Sequence, residues 1–335
     1  MSTHTTDGRS GIRDDFESVR DQQRRRLRGT PGESWAARAA RQITGIVTAD
    51  PYPQQLTEAA AGVQGAVTTG RRVAVIGTRG GAGRTTTTAL LARVIGSLRT
   101  DPVAVVDAAG PRGTLALRLA PERTLPTDDE VLEAAGRVPA TLADLTDALA
   151  PAGRNLWVAG SAPGTGLDEL VVAVSRFCAV TLVDAPVLGT AGSSDPVAVA
   201  PFPGAHTLLH VAPCTVAGLD DARWLAGLAA SGGTPLLTAL VDVQPGTGLD
   251  VVAEARQLDH DGVPALPLRH DRHLASGVEF DLSLLARSTR LQATALASAL
   301  VRTAIGGVPV TTPALGAPDP AAAVPRVGAA GGAAR

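Results

Sequence analysis

The chain has 335 residues, 44% of them hydrophobic and only 2% aromatic, with a formal net charge of −2. That length holds one large or two ordinary domains, and the core must be built from Val, Leu, Ala and Ile rather than from rings. The slightly acidic balance excludes a globally basic nucleic-acid binder, and no apolar run is long enough to span a bilayer.

Residues 1–33 are polar and charged, with Arg24-Arg25-Arg26 and Arg28 clustered. They read as a disordered, solvated arm; a contact to anionic lipid, nucleic acid or an acidic protein is the sharper alternative. The first residues carry no apolar signal-peptide stretch, and Cys178 and Cys214 lie beside apolar runs, so a cytoplasmic setting with inert thiols is expected. Residues 34–70 read as a helical extension. Ser34 can cap a helix Trp35–Val47 with Trp35, Ala39, Ile43 and Ile46 on one face; Pro51-Tyr52-Pro53 breaks the chain, and Gln55–Val67 predicts one more helix.

From residue 71 to 306 apolar strands alternate with helical patterns. The strands are expected at Arg72–Ile76, Val103–Val106, Leu156–Ala159, Val180–Asp184, Thr207–Val211, Leu236–Val243 and Ala265–Leu268. The helices are expected at Thr85–Ser97, Leu142–Leu149, Leu167–Arg176, Val216–Ala230, Leu249–Gln257 and Leu285–Ala304. Continuous apolar strands joined through helices predict an α/β fold: a mostly parallel, doubly wound sheet covered on both faces. Residues 307–335 are Ala, Pro and Gly with a few others, and read as a disordered tail.

The chemistry concentrates after the first strand. Val73-Ala74-Val75-Ile76 runs into Gly77-Thr78-Arg79-Gly80-Gly81-Ala82-Gly83-Arg84-Thr85-Thr86, then into a helical pattern. Glycines let successive backbone N–H groups converge on an anion, and the helix dipole adds to that attraction. Two later strands end in carboxylates, Asp107 and Asp184, and a parallel sheet delivers both to the edge where the glycine loop opens. A carboxylate there can hold the water shell of Mg²⁺ while the Thr85 hydroxyl ligates the ion. For a single strand-end Asp, a turn or cap role is the rival reading.

The spelling Arg79-Gly80-Gly81-Ala82-Gly83-Arg84-Thr85-Thr86 resembles the deviant Walker A loop of the ParA/MinD family of P-loop ATPases, and the segment order resembles that family from about residue 71 to 304. Asp184-Ala185-Pro186 looks like its second switch, and Pro267 to Gly277 like its loop near the nucleotide base. Asp107 through Arg112-Gly113-Thr114-Leu115, together with Asp271-x-His273-Leu274 and the Arg-rich arm, is similar to MinD-like proteins of actinobacterial type VII (ESX) secretion loci. The resemblance implies ATP and Mg²⁺ as cofactors. Gly80, Gly81, Ala82 and Gly83 would wrap the phosphates, with Arg84 on the outer two. Thr85 would be the direct Mg²⁺ ligand, and Thr86 would hydrogen-bond a phosphate. Asp107 and Asp184 would act on the metal through water, and Arg79 would cross to the partner's phosphates in an ATP-dependent homodimer.

Two departures from the family pattern matter. Both signature lysines are arginines, in a chain whose thirty basic residues include no lysine at all. Arginine keeps the charge but is planar and bulkier, so the swap is not conservative at a tight site. Ala109 also stands where the family commonly has a water-positioning Asp, so slow or absent hydrolysis is expected. A non-hydrolysing scaffold and a DNA-partitioning ATPase are the rival functions; the low basic charge ranks DNA last. A protein partner would meet the N-terminal arm, and any peripheral membrane contact would come from that arm, since residues 307–335 hold no amphipathic helix. His270-x-x-His273 and Asp259-His260-Asp261 read as loop hydrogen bonding in preference to a metal site, and His206 and His210 as strand histidines. Gly160-Ser161-Ala162-Pro163-Gly164 does not fit a hydrolase nucleophile elbow.

Overall fold

The computed structural model describes residue 25, residues 27–33, 50–108, 113–120, 122, 124–136, 141–160, 166–187 and 204–306. The expected helix Trp35–Val47, Ala109, Arg112, most of the Gly160–Gly166 turn and the 307–335 tail lie outside the described residues.

The strands are β1 (Arg71–Ile76), β2 (Val103–Asp107), β3 (Ala150–Gly153), β4 (Leu156–Gly160), β5 (Val180–Asp184), β6 (Thr207–Pro213), β7 (Leu236–Val241) and β8 (Ala265–Leu268). They form one sheet in the order β3-β4-β2-β5-β1-β6-β7-β8. Every pairing is parallel except β3 with β4. The helices are α1 (Tyr52–Val63), α2 (Arg84–Leu98), α3 (Leu115–Leu119), α4 (Asp128–Gly136), α5 (Leu142–Ala148), α6 (Leu167–Ser175), α7 (Val216–Gly232), α8 (Val251–His260), α9 (Arg272–Ala275) and α10 (Arg287–Gly306).

Alternation along each strand feeds two cores. Val73 and Val75 of β1 join one cluster with α1, α2, α3 and α10, while Ala74 and Ile76 point into the other, with α4 to α7. A third cluster joins α7 and α8 to Leu240 of β7 and Ala265 of β8. Both faces of the sheet are therefore covered, as continuous Val- and Leu-rich strands require. The fold is the predicted doubly wound α/β architecture.

Several element boundaries differ from expectation. Pro51-Tyr52-Pro53 starts α1 rather than breaking the chain: Pro51 is its N-cap and Pro53 lies in its first turn, where a missing N–H costs nothing. The buried Arg99 guanidinium holds the end of that helix by donating to the Val63 and Gly65 carbonyls at 2.7 and 2.9 Å. The helix lies against α10 so closely that a Cβ on Gly62 would meet Ser298 Oγ at 1.9 Å. Strand β3, unpredicted, is an antiparallel edge strand carrying Pro151, where a proline can sit without breaking an inner ladder. Helix α4 is also unpredicted, although Thr127 and Glu130 cap it reciprocally. Helix α8 begins at Val251, not Leu249, because Asp250 accepts from the N–H groups of Val252 and Ala253. Among the described residues no helix is long and apolar enough to cross a membrane.

Topology places a crevice. The chain leaving β1 passes through α2 to β2 on one side, and the chain leaving its neighbour β6 passes through α7 to β7 on the other. Ligands of open α/β sheets bind outside the carboxyl ends of strands that diverge in this way.

Candidate functional site

The glycine loop opens at that divergence. Gly81 and Gly83 have φ of 77° and 87°, left-handed values that favour glycine, so the loop turns sharply before α2. No side chain caps α2, and its first turn holds no acidic residue. Its leading N–H groups therefore point, with the positive end of the dipole, into the crevice. Arg79, Gly80 and Gly81 are exposed; Thr85 and Thr86 are half-buried. Ala82 is buried in the loop, and Gly80 has open space where a side chain would stand.

Asp184 ends β5, beside Val75 of β1 and in register with Asp107 of β2, so both predicted carboxylates share one edge. Asp184 is fully buried. Its Oδ1 accepts from Arg84 Nε at 2.9 Å; the Thr88 hydroxyl lies 3.4 Å away but has the Arg84 carbonyl nearer, at 3.0 Å. Its Oδ2 is buried with no partner. A buried carboxylate oxygen without a donor is costly unless something fills the need, and a water of a hydrated cation would do so. The donor set, one orphaned carboxylate oxygen and the Thr85 hydroxyl at the mouth of a glycine loop, thus fits Mg²⁺ carried in with phosphates. Among the described residues no three His, Cys, Asp or Glu groups could hold a metal by themselves.

Arg84, expected on the outer phosphates, turns its Nε back onto Asp184 and leaves the far end of the fork without a hydrogen bond to a described residue. Arg79 is held as well. Its Nε and Nη2 donate to the two carboxylate oxygens of Asp221 on α7 at 2.6 and 3.1 Å, and Thr78 Oγ1 adds a third bond at 2.8 Å. Burial alone would raise the Asp221 carboxyl, but the hydrogen bonds from Arg79 and Thr78 and the Arg79 charge hold it below its usual range. The same contact raises Arg79.

Asp107 is buried, and its Oδ2 accepts from the Leu115 N–H at 3.2 Å. A Cβ on Gly113 would lie 2.2 Å from that oxygen, so only glycine lets the chain pass so close. Asp107 therefore positions α3 as well as facing the crevice edge. Helix α3 carries Arg118, a residue with no motif to announce it. Its Nε donates to Thr86 Oγ1 at 3.0 Å, and its Nη1 to the Thr114 carbonyl and hydroxyl at 3.1 and 2.6 Å. Burial lowers the Arg118 pKa, while the nearby Asp184 and Asp107 raise it. Sequence reasoning misses Asp221, Thr88 and Arg118 alike.

Among the described residues, His206, His210 and His273 hydrogen-bond neither the loop nor Asp107 and Asp184, although His210 lies close enough to Asp221 to feel its charge. His273 is buried and its Nε2 accepts from the Asp281 N–H, while Asp271 caps α9. His206 Nδ1 accepts from the Arg72 N–H. His210 is buried in β6. Cys178 and Cys214 are buried free thiols, pushed up by burial to about 12 and about 11.

No family model and no curated protein matches the chain. Among solved structures it is similar to a ParA family ATPase from Chlorobium tepidum TLS, at 17% identity over 68% of this chain and 98% of that one, with a TM-score of 0.49. The septum site-determining protein MinD complexed with Mg-ADP from Pyrococcus horikoshii OT3 is 18% identical over 69% of this chain and 95% of that one, with a TM-score of 0.48. A Cyanothece McdA variant in complex with ATP is 18% identical over 71% and 97%, with a TM-score of 0.47.

Proposed function

We propose that this chain is a cytoplasmic ParA/MinD-like regulatory or positioning ATPase that binds ATP with Mg²⁺, dimerises around it and hydrolyses it slowly or not at all. One observation carries the reading. An uncapped helix N-terminus behind a glycine loop shares its sheet edge with a buried, partnerless carboxylate oxygen on Asp184. The backbone of Gly80, Gly81, Ala82 and Gly83 would receive the phosphates, with Thr86 and the free end of Arg84 as side-chain donors. Thr85 and Asp184 would hold the magnesium, Asp184 through water, with Asp107 beside it. Bound there, the ion supplies neutralising charge to the phosphates. Arg79 reaches a second copy only by leaving Asp221, so the dimer would form against that internal ion pair. With Ala109 in place of a water-positioning carboxylate, in-line attack lacks its orienting group.

The resemblance of Asp107 through Leu115, of the Asp271-x-His273-Leu274 loop and of the Arg-rich arm to MinD-like proteins of type VII loci supports a partner in secretion machinery, met through that arm. A second reading, a scaffold that no longer uses nucleotide, is favoured by the Arg84–Asp184 pair, which neutralises the loop's inner cation. Partitioning of DNA is the third reading; DNA retention that falls steeply with salt would support it. Light scattering separates the first reading from the second. Its mass doubles with ATP–Mg²⁺ in the wild type, less readily in Arg79→Ala, and not in Thr85→Ala. A wild-type mass that ATP leaves unchanged rejects the nucleotide-driven dimer.

A further inference from the structure

The guanidinium groups around the glycine loop are not equivalent. Among the described residues, Arg79 is hydrogen-bonded to the carboxylate of Asp221 and Arg84 to that of Asp184. Arg118 is hydrogen-bonded only to neutral oxygens, those of Thr86 and Thr114, and its Nη2 has no hydrogen bond to a described residue. Its platform is fixed at several points. Leu115 and Leu119 are fully buried. The Leu115 N–H is held by Asp107, and the Leu119 carbonyl accepts from Arg93 Nη2 at 2.7 Å.

The Arg118 bond to Thr86 also sets a direction. A threonine hydroxyl has one proton and two acceptor sites. With Arg118 Nε occupying an acceptor site of Thr86 Oγ1, the hydroxyl proton is free to be donated. Thr86 stands in the first turn of α2, where the uncapped N–H groups already converge.

We propose that Arg118 is an anion-binding residue of this site, orienting the Thr86 hydroxyl as a donor and offering its own Nη2 to the same phosphate group. This rests on the reading of the loop as a phosphate cradle. It assigns to α3 a role that neither the loop motif nor the strand-end carboxylates supply: a charge-assisted donor to the phosphates delivered from outside the loop, beside the far end of Arg84. Thr114, which holds Nη1, is then a positioning residue.

Calorimetry on the full chain tests it, with ATP–Mg²⁺ and tripolyphosphate–Mg²⁺ as the two probes. Tripolyphosphate has phosphates but no ribose or base. Arg118→Gln keeps hydrogen-bonding capacity and removes the charge; Arg118→Lys keeps the charge. The expected result is a loss of about tenfold or more for both probes in Arg118→Gln, as for a charge-assisted hydrogen bond. Arg118→Lys stays within about threefold of wild type, Thr114→Val falls between the two, and the ligand-free melting temperatures match. Unchanged affinity in Arg118→Gln overturns the proposal. So does an equal loss in the Lys and Gln variants with a lowered melting temperature, which marks a scaffolding role. A loss for ATP without one for tripolyphosphate would place the contact on ribose or base, and also overturns it. A wild type that binds neither probe rejects the phosphate cradle itself, a result distinguishable from any failure confined to Arg118.

Discussion

Removing the Arg84 side chain tests how the site is held together before any ligand arrives. Asp184 is wholly buried, and the Arg84 side chain retains 12% exposure. Their contact is a charge-assisted bond of 2.9 Å, and among the described residues the Thr88 hydroxyl is the next donor to that oxygen, at 3.4 Å. In Arg84→Ala the carboxylate keeps its burial and loses its hydrogen-bonded counter-charge, with Arg118 left as the nearby cation. Breaking a buried pair on one side costs about 3–5 kcal/mol. For a domain of this size that is a fall in melting temperature of about 10 °C. Replacing both partners with apolar residues, Arg84→Met with Asp184→Leu, should recover most of the loss, because no stranded charge remains. The assay is thermal and urea unfolding of the wild type, both single variants and the double variant. A melting temperature in Arg84→Ala within about 2 °C of wild type would refute the reasoning, since the pair would then be solvated rather than buried.

Three further outcomes are expected. His210 is buried with neither ring nitrogen partnered, and burial holds its pKa near 4, below the usual 6.5. The unfolded chain therefore gains a proton below pH 6.5 that the native state refuses until about pH 4. Stability should fall by about 3 kcal/mol as pH drops through that window, and urea titrations of His210→Leu should lack that component. Gly113→Ala pushes a Cβ onto Asp107 Oδ2. Overpacking of this kind costs about 1–3 kcal/mol, seen as a lower melting temperature with weaker ATP binding. Asp221→Asn removes the charge that holds Arg79, so light scattering should find the ATP-dependent dimer at lower protein concentration than in wild type; a weaker dimer would contradict the internal competition.

The sheet is legible in the sequence because its strands are runs such as Val73–Ile76 and Val180–Asp184, apolar on both faces and bounded by turns. Strand β3 is not, because Ala-Pro-Ala-Gly has no strand propensity and forms only as an edge zipped to β4. Helix α4 is within reach: Thr127 and Glu130 spell a capping box, but the segment behind them is short and weakly apolar. At the site, the glycine loop, Asp107 and Asp184 are readable because local spelling and strand ends determine where they lie. The destinations of the arginines are not. Arg84 meets a carboxylate a hundred positions away and Arg79 one still more distant, and such pairings depend on tertiary packing. Arg118 has no local signal at all; it matters only because α3 folds against the first turn of α2. Asp107 shows both readings of a strand-end carboxylate at once, since it caps the turn into α3 and lines the edge.

The central claim is that the loop after β1 receives the phosphates of ATP with magnesium. Calorimetric titration of the full chain with ATP–Mg²⁺, beside Thr85→Ala, tests it most directly. Saturable binding of one nucleotide per chain, with a dissociation constant below about 1 mM in the wild type and lost in Thr85→Ala, is the predicted result. No binding heat up to millimolar nucleotide in the wild type, or equal binding in Thr85→Ala, would contradict it.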